Sequence, residues 1–183
     1  MAEALVLIAE GSEEIEAVTP GDVLVRAGVS VLVAGVGGVL LRGSRGLLLA
    51  AEVEAGAIGD RLFDAVILPG GAKGAEHLAA SESVARIVRA HASAGKIIAA
   101  ICAAPAVVLG PLGMLEGRRA TCYPGLEAGL TGATHTAGDV VVDGALVTSR
   151  GPGTALAFSL ELAARLAGRG RAGEVRRAML AGD

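Results

Sequence analysis

The sequence contains no tryptophan, one tyrosine and two phenylalanines. Three aromatic side chains cannot build the stacking platform on which single-stranded nucleic acid is held. A formal net charge of −3 argues in the same direction, against a surface that tracks phosphates. Cysteine is scarce. Two residues, Cys102 and Cys122, cannot make a disulfide framework, and such sparse usage predicts a reducing, cytoplasmic setting. Asparagine and glutamine are absent, and lysine occurs only as Lys73 and Lys96. Loss of thermolabile amides accompanies some adaptations to heat, but biased codon usage leaves the same trace, so the bias is read as background. Membrane-spanning runs are lacking too. The apolar run Ala4 to Ala9 is short and is flanked by Glu3 and Glu10, where a signal peptide needs basic charge. The uncharged stretch from Ile97 to Leu115 is long enough to span a bilayer. Pro105, Gly110, Pro111 and Gly113 interrupt it, and it reads better as a strand, a turn and a helix.

What is present is a chain of 183 residues, 52% apolar and 19% charged. That length fits one domain over 1–183 with a sizeable buried core. Glycine (28) and proline (6) together stay below the share that marks low complexity. The segment ALVLIA (4–9) is a continuous apolar run, as expected of a strand covered on both faces; VSVLVA (29–34) and IIAAI (97–101) read as further buried strands, and DAVILPGG (64–71) as a strand ending in a Pro-Gly-Gly turn. Ser12 precedes a helical pattern that runs to about Ala27 and stops at Gly28, with Pro20 as a kink. VLL (39–41) and LLLA (47–50) flank RGSRG and predict a hairpin of edge strands. Helical patterns fill about 74–79, 82–94 and 153–166, and a basic, glycine-interrupted tail follows. Asp143-Gly144 between two apolar runs is a two-residue hairpin signal. Alternation of buried strands with helices predicts an α/β sandwich of the flavodoxin-like kind, a mostly parallel sheet with helices on both faces.

In such a sheet the site lies outside the carboxyl ends of the strands. GSEEIE (11–16), LPGG (68–71) and Cys102 all fall there. Cys102, between a buried strand and a predicted helix, occupies the position of a nucleophile elbow. A helix beginning at Ala103 would aim its free N–H groups and positive dipole end at the sulfur and lower its pKa. A small buried cysteine is also an ordinary filler of a core, and position alone does not separate the two readings. The same holds for Glu13, Glu14 and Glu16, because acids are favoured in a first helical turn whether or not they are functional. A carboxyl forced against a thiolate would have its pKa raised and could donate a proton.

The strings EGSEEIEAV (10–18), VILPGG (66–71), AAICAAP (99–105) and TSRGPGT (148–154) resemble the ThiJ/PfpI superfamily, in the branch of the parkinsonism-associated protein deglycase and its bacterial relatives. The likeness runs from about Ala4 to Gly168. It implies a flavodoxin-like fold, a homodimer, a reactive cysteine at Cys102 and a carboxylic acid partner at Glu16. The family's oxyanion contacts map to the backbone N–H groups of Gly71 and Ala103. Some relatives carry a histidine at the position of Tyr123, so a Cys–His pair is not available from that site here. The protease-like branch has a histidine directly after the cysteine; Ala103 stands there, which argues against peptidase activity. Small anions bound in family members point to Arg26 and Arg45. Cys122 lines up as a resolving thiol or as a filler residue.

The resemblance implies a cofactor-independent enzyme acting on 2-oxoaldehydes such as methylglyoxal and glyoxal, or on their early adducts on glycated protein, releasing 2-hydroxy acids. The alternative is a redox sensor or stress chaperone that works through oxidation of Cys102 to a sulfinate. No metal pattern and no nucleotide-binding fingerprint is present: Gly35, Gly37 and Gly38 lack the third glycine, which is Leu40. His77 and His91 are expected on the surface of helices. His135 falls in a loop before the hairpin. Arg165, Arg169, Arg171, Arg176 and Arg177 read as a solvated helix face, not a nucleic-acid surface.

Overall fold

The apolar runs assemble side by side at the centre of a seven-stranded sheet. The structure, a computed structural model describing residues 1–182, contains β1 (Glu3–Ala9), α1 (Glu14–Arg26), β2 (Ser30–Val36), β3 (Leu40–Arg42), β4 (Leu48–Ala50) and β5 (Val53–Glu54). These are followed by β6 (Ala65–Leu68), α2 (Ala72–Ala79), α3 (Glu82–Ser93), β7 (Ile97–Ile101), β8 (Arg119–Ala120) and β9 (Thr134–His135). The chain continues through β10 (Val140–Asp143), β11 (Leu146–Ser149), α4 (Ala155–Ala167) and α5 (Arg169–Ala178). The sheet order is β10-β11-β7-β6-β1-β2-β5, parallel throughout except for the β10–β11 hairpin. Residues 4–9 of β1 are all buried, which requires cover on both faces. α1 and α4 pack together against β1, β2 and β11, with α5 outside α4, and α2 and α3 pack on β1, β6 and β7. Phe63 and Phe158 are the largest fully buried side chains. Phe63 also holds Arg61 over its ring at 4.5 Å. This is the α/β, flavodoxin-like architecture.

Several expectations are corrected by the packing. β3 and β4 do pair, with Leu41 opposite Leu49, but as a separate two-stranded ribbon; the outer strand of the main sheet is the two-residue β5 on β2. Too little apolar pattern marks β5 for it to stand out in the sequence. The β10–β11 turn is one residue later than read: Asp143 pairs with Leu146, so the turn is Gly144-Ala145. Gly144 at φ 59 occupies the first central position, the type II′ arrangement that fits strand twist. The basic tail is largely a helix, α5, in line with its reading as a solvated helix face. The helix start is capped by Glu13, whose carboxylate accepts from the N–H of Glu16 at 2.9 Å. Ser12 instead turns its hydroxyl back to accept from Ala9 N–H.

His91 is buried, not on the surface. Its Nδ1–H donates to the Ile87 carbonyl (2.7 Å) and its Nε2 accepts from Phe63 N–H (2.9 Å). Burial pushes its pKa down, so the ring is a neutral strut joining α3 to the start of β6. His135 is exposed in β9, paired with β8. The stretch from Ile97 to Leu115 is β7, an elbow and a single wide π-helical turn over Pro105–Leu109. Among the described residues no helix is long and apolar enough to cross a membrane.

Candidate active site

Because β1, β6 and β7 run parallel, their carboxyl ends bring residues 10–16, 69–71 and 102 to one edge of the sheet. Cys102 is the elbow. Its φ of 64 is the left-handed conformation that side chains other than glycine seldom adopt, and such strain is held only where neighbouring contacts fix it. Two backbone bonds do so: Cys102 N–H donates to the Ser149 carbonyl of β11 (2.9 Å), and Tyr123 N–H donates to the Cys102 carbonyl (2.8 Å). The TSRGPGT and TCYP segments thereby act as braces on either side of the elbow.

The backbone N–H groups of Gly71 and Ala103 lie beside the sulfur and favour its charged form. Gly71 sits at φ 83 at the start of α2, and a Cβ there would overlap the Gly11 carbonyl oxygen, so the close approach of the two strand ends demands glycine. Glu16 enters from the first turn of α1. Its Oε2 accepts from Gly70 N–H at 2.8 Å. Its Oε1 is buried without a hydrogen-bond partner, and the Cys102 thiol lies beside the carboxyl. Gly70 is the hinge of this contact: a Cβ on it would lie 2.6 Å from Cys102 Cβ and 2.7 Å from Glu16 Oε2. Any side chain at residue 70 would force the carboxyl and the thiol apart.

Electrostatically the pair is set by burial. Desolvation raises the Glu16 pKa from 4.5 to about 7, outweighing the stabilising Gly70 N–H. Burial and then the Glu16 charge push the Cys102 thiol up to about 12, against the pull of the two N–H donors. The expectation that a helix dipole lowers the Cys102 pKa is therefore corrected. No α-helix starts at Ala103; the π-helical turn of Pro105–Leu109 is too short to present a macrodipole, and a buried carboxyl stands beside the sulfur. A thiolate at Cys102 is compatible with this pocket when Glu16 holds a proton, since the opposing charge is then gone and the carboxyl can donate to the sulfur.

A cleft of about 890 Å³ opens onto Cys102, within the range of small-molecule sites. Gly71, Ala103, Tyr123 and Arg45 line it with Cys102. Glu16 lies just beneath, fully buried. Cys122 is buried outside the lining, its thiol donating to the Tyr123 carbonyl at 3.4 Å, and burial raises its pKa to about 11. Arg26 is not brought in. It sits at the far end of α1 from Glu16, exposed and paired with Asp22 at 2.9 Å, because the helix carries it away from the strand ends. His77 is exposed, as expected, and also lines the cleft; its Nδ1–H donates to the Glu10 carbonyl at 2.7 Å. Among the described residues no group of three or more His, Cys, Asp or Glu side chains could hold a metal ion.

Residues 2–165 match the model of the DJ-1/PfpI family. The chain belongs to the DJ-1/PfpI family. It is 42% identical over 179 residues to protein DJ-1 homolog A of Arabidopsis thaliana, covering 97% of this chain and 46% of that one. The chain thus spans about half the length of that curated relative. It is also 34% identical over 168 residues to the glutathione-independent glyoxalase DJR-1.2 of Caenorhabditis elegans, covering 90% of this chain and 89% of the relative. Among solved structures, oxidized Toxoplasma gondii DJ-1 superposes with a TM-score of 0.95 at 38% identity, covering 98% of each chain. The elbow, its acid and the glycine pair are thus set in a DJ-1 fold.

Proposed function

We propose that this DJ-1/PfpI chain acts as one domain and is a cofactor-independent enzyme that converts 2-oxoaldehydes, free or released from early protein adducts, into 2-hydroxy acids. The observation that carries this reading is the buried pair of Cys102 and Glu16 at the floor of an open cleft, with two N–H donors around the sulfur. The glyoxalase among its relatives supports the substrate class. Cys102 sulfur adds to the aldehyde carbon of methylglyoxal, and the carbonyl oxygen, as it gains charge, takes the Gly71 and Ala103 N–H groups. Glu16, poised near neutrality, removes the proton from that carbon and delivers it to the neighbouring ketone carbon, whose oxygen becomes a hydroxyl by taking the proton that the thiol gave up on addition. The first carbon is thereby oxidised to a thioester and the second reduced. Water then cleaves the carbon–sulfur bond, releasing lactate and restoring the thiol. With methylglyoxal and no glutathione, purified protein is expected to form many lactates per chain, and Cys102→Ala none; lactate formation that persists in Cys102→Ala overturns the mechanism.

A second reading uses the same two residues. Two equivalents of peroxide would convert the Cys102 thiol to a sulfinic acid with release of two waters, and protonated Glu16 would hold a sulfinate oxygen. The oxidized state of the Toxoplasma relative favours keeping it. Absence of aldehyde turnover together with sulfinate formation under peroxide would select it.

The partner surface belongs to the same proposal. Ile15, Val18 and Val25 share an outer face of α1 and are each more than half exposed, as are Leu40, Leu47 and Leu48 on the β3–β4 ribbon docked beside it. Apolar side chains exposed together in this way mark an interaction face, and a second copy of the chain is the occupant we assign. Light scattering at micromolar concentration is expected to give a dimer mass that falls to the monomer in Val18→Asp. A wild-type monomer would remove the assignment.

A further inference from the structure

The basic tail, α5, plays no part in the aldehyde chemistry, and with α4 and β10 it bounds a second cavity of about 440 Å³, within the range of small-molecule sites. None of the residues lining it belongs to the cleft above Cys102. It lies against β10, the outer strand at the end of the sheet opposite β2 and β5. The lining repeats one pattern on both helices. Ala157, Leu160, Glu161 and Ala164 face it from α4, and Arg169, Ala172, Gly173 and Arg176 from α5. Each set is spaced i, i+3, i+4, i+7, a single stripe of a helix. Val140 and Val142, two apart on β10, share one face of that strand and form the floor. Alanine or glycine stands at four of the eight helical positions, and side chains that short leave the space between the walls unfilled. Contacts outside the cavity hold those walls in place. Arg171 donates to the Arg26 carbonyl at 2.7 Å and to Glu174 at 2.8 Å, which fastens α5 across the end of α1. Arg165 donates to Glu161 and to the Gly144 carbonyl, each at 3.0 Å, which fastens α4 to the β10–β11 turn.

The same contacts decide the charge of the cavity. Glu161 alone among the lining residues carries a carboxylate, and it is paired with Arg165; Glu174, outside the lining, is paired with Arg171. Arg176 gives its Nη1 to the Gly182 carbonyl at 2.7 Å. Arg169 has no ion-pair partner among the described residues. What remains is an apolar trough with an unspent guanidinium at one end and a second, partly engaged one about two turns further along α5. A guanidinium recognises a carboxylate through paired N–H donors, and valine, leucine and alanine walls take a hydrocarbon chain out of water. We propose that this cavity binds a monocarboxylate with an aliphatic tail, the carboxylate on Arg169 and the tail along Val140, Val142 and Leu160. A small inorganic anion would leave the apolar walls wet, and a neutral hydrocarbon would leave Arg169 without a counter-charge. The site uses neither Cys102 nor Glu16, so it stands or falls apart from the aldehyde chemistry.

The probe is octanoate, with octanamide as its neutral counterpart, each titrated calorimetrically into the full chain below the concentration at which octanoate forms micelles. The wild type is expected to bind octanoate about fivefold more tightly than octanamide, the worth of one partly exposed charge pair. Arg169→Gln should bind the two alike, because the charge that tells them apart is gone. Arg45→Ala, in the other cleft, should keep the preference. Ala164→Leu, which fills the trough, should weaken both ligands by at least about tenfold. Amide NMR shifts on adding octanoate are expected at Val142, Ala172 and Gly173, and they should be the same in Cys102→Ala. Absence of octanoate binding at millimolar concentration, a preference that survives Arg169→Gln, or shifts confined to the Cys102 cleft each overturns the proposal. If Ala164→Leu does not fold, the octanoate-to-octanamide ratio in Arg169→Gln decides alone. A general loosening of the fold would weaken both ligands together and leave that ratio in place.

Discussion

Replacing Glu16 with glutamine is expected to lower kcat for methylglyoxal by about 10²–10⁴-fold, the usual worth of a positioned proton carrier, while Cys102 remains open to alkylation by iodoacetamide. Glutamine keeps the shape of the carboxyl and its acceptor for Gly70 N–H, so the floor of the cleft is preserved. It cannot take a proton from one substrate carbon and return it to the next. The addition step survives, since the Gly71 and Ala103 N–H groups do not depend on the carboxyl. The variant should therefore form a covalent adduct with the aldehyde without releasing lactate, which intact-mass measurement and a lactate assay together would show. Turnover at the wild-type rate in Glu16→Gln would mean that the proton moves by another route, and the mechanism would fail.

The frame of this fold was legible because it rests on runs of one kind. Residues 4–9, 65–68 and 97–101 are apolar without alternation, as is 29–34 but for Ser30, and each became an inner parallel strand. Cys102 and Glu16 were legible for a different reason: they stand in strings that resemble a family, where position along the chain stands in for position in space. What the sequence hid was set by tertiary contacts. Glu14 and Glu16 are neighbours in a run of acids, and nothing in that run says which faces the thiol and which grips the β3–β4 turn. His91 looked like a polar helix residue until Phe63 and Ile87 supplied partners for both ring nitrogens. The direction of the Cys102 shift was also hidden, because it depends first on the burial of the sulfur itself and then on Glu16 beside it, with a π-helical turn where an α-helix was expected.

That burial has a consequence for stability that is large enough to measure. The folded protein holds the Glu16 proton to about pH 7, whereas the unfolded chain releases it near 4.5. Between those values the folded state binds more protons than the unfolded state, so stability contributed by Glu16 is full below pH 4.5 and is lost as pH rises through 7. The loss amounts to about 3 kcal/mol. His91 works in the opposite sense: its pKa is lowered by burial, so its contribution grows as pH rises toward the ordinary histidine range, and it masks part of the Glu16 effect in the wild type alone. Subtracting Glu16→Gln, which retains His91, removes that term. Cys102 is a thiol in the folded state throughout this range and adds nothing to the difference. Chemical denaturation from pH 4.5 to pH 8 is therefore expected to show the glutamine variant gaining about 3 kcal/mol relative to wild type. In melting experiments this gain corresponds to roughly 6–12 °C for a domain of this size. A difference that stays constant across the range would mean that the Glu16 carboxyl ionises as freely as in water, and that it lacks the near-neutral pKa on which its proton transfer in the catalytic reading rests.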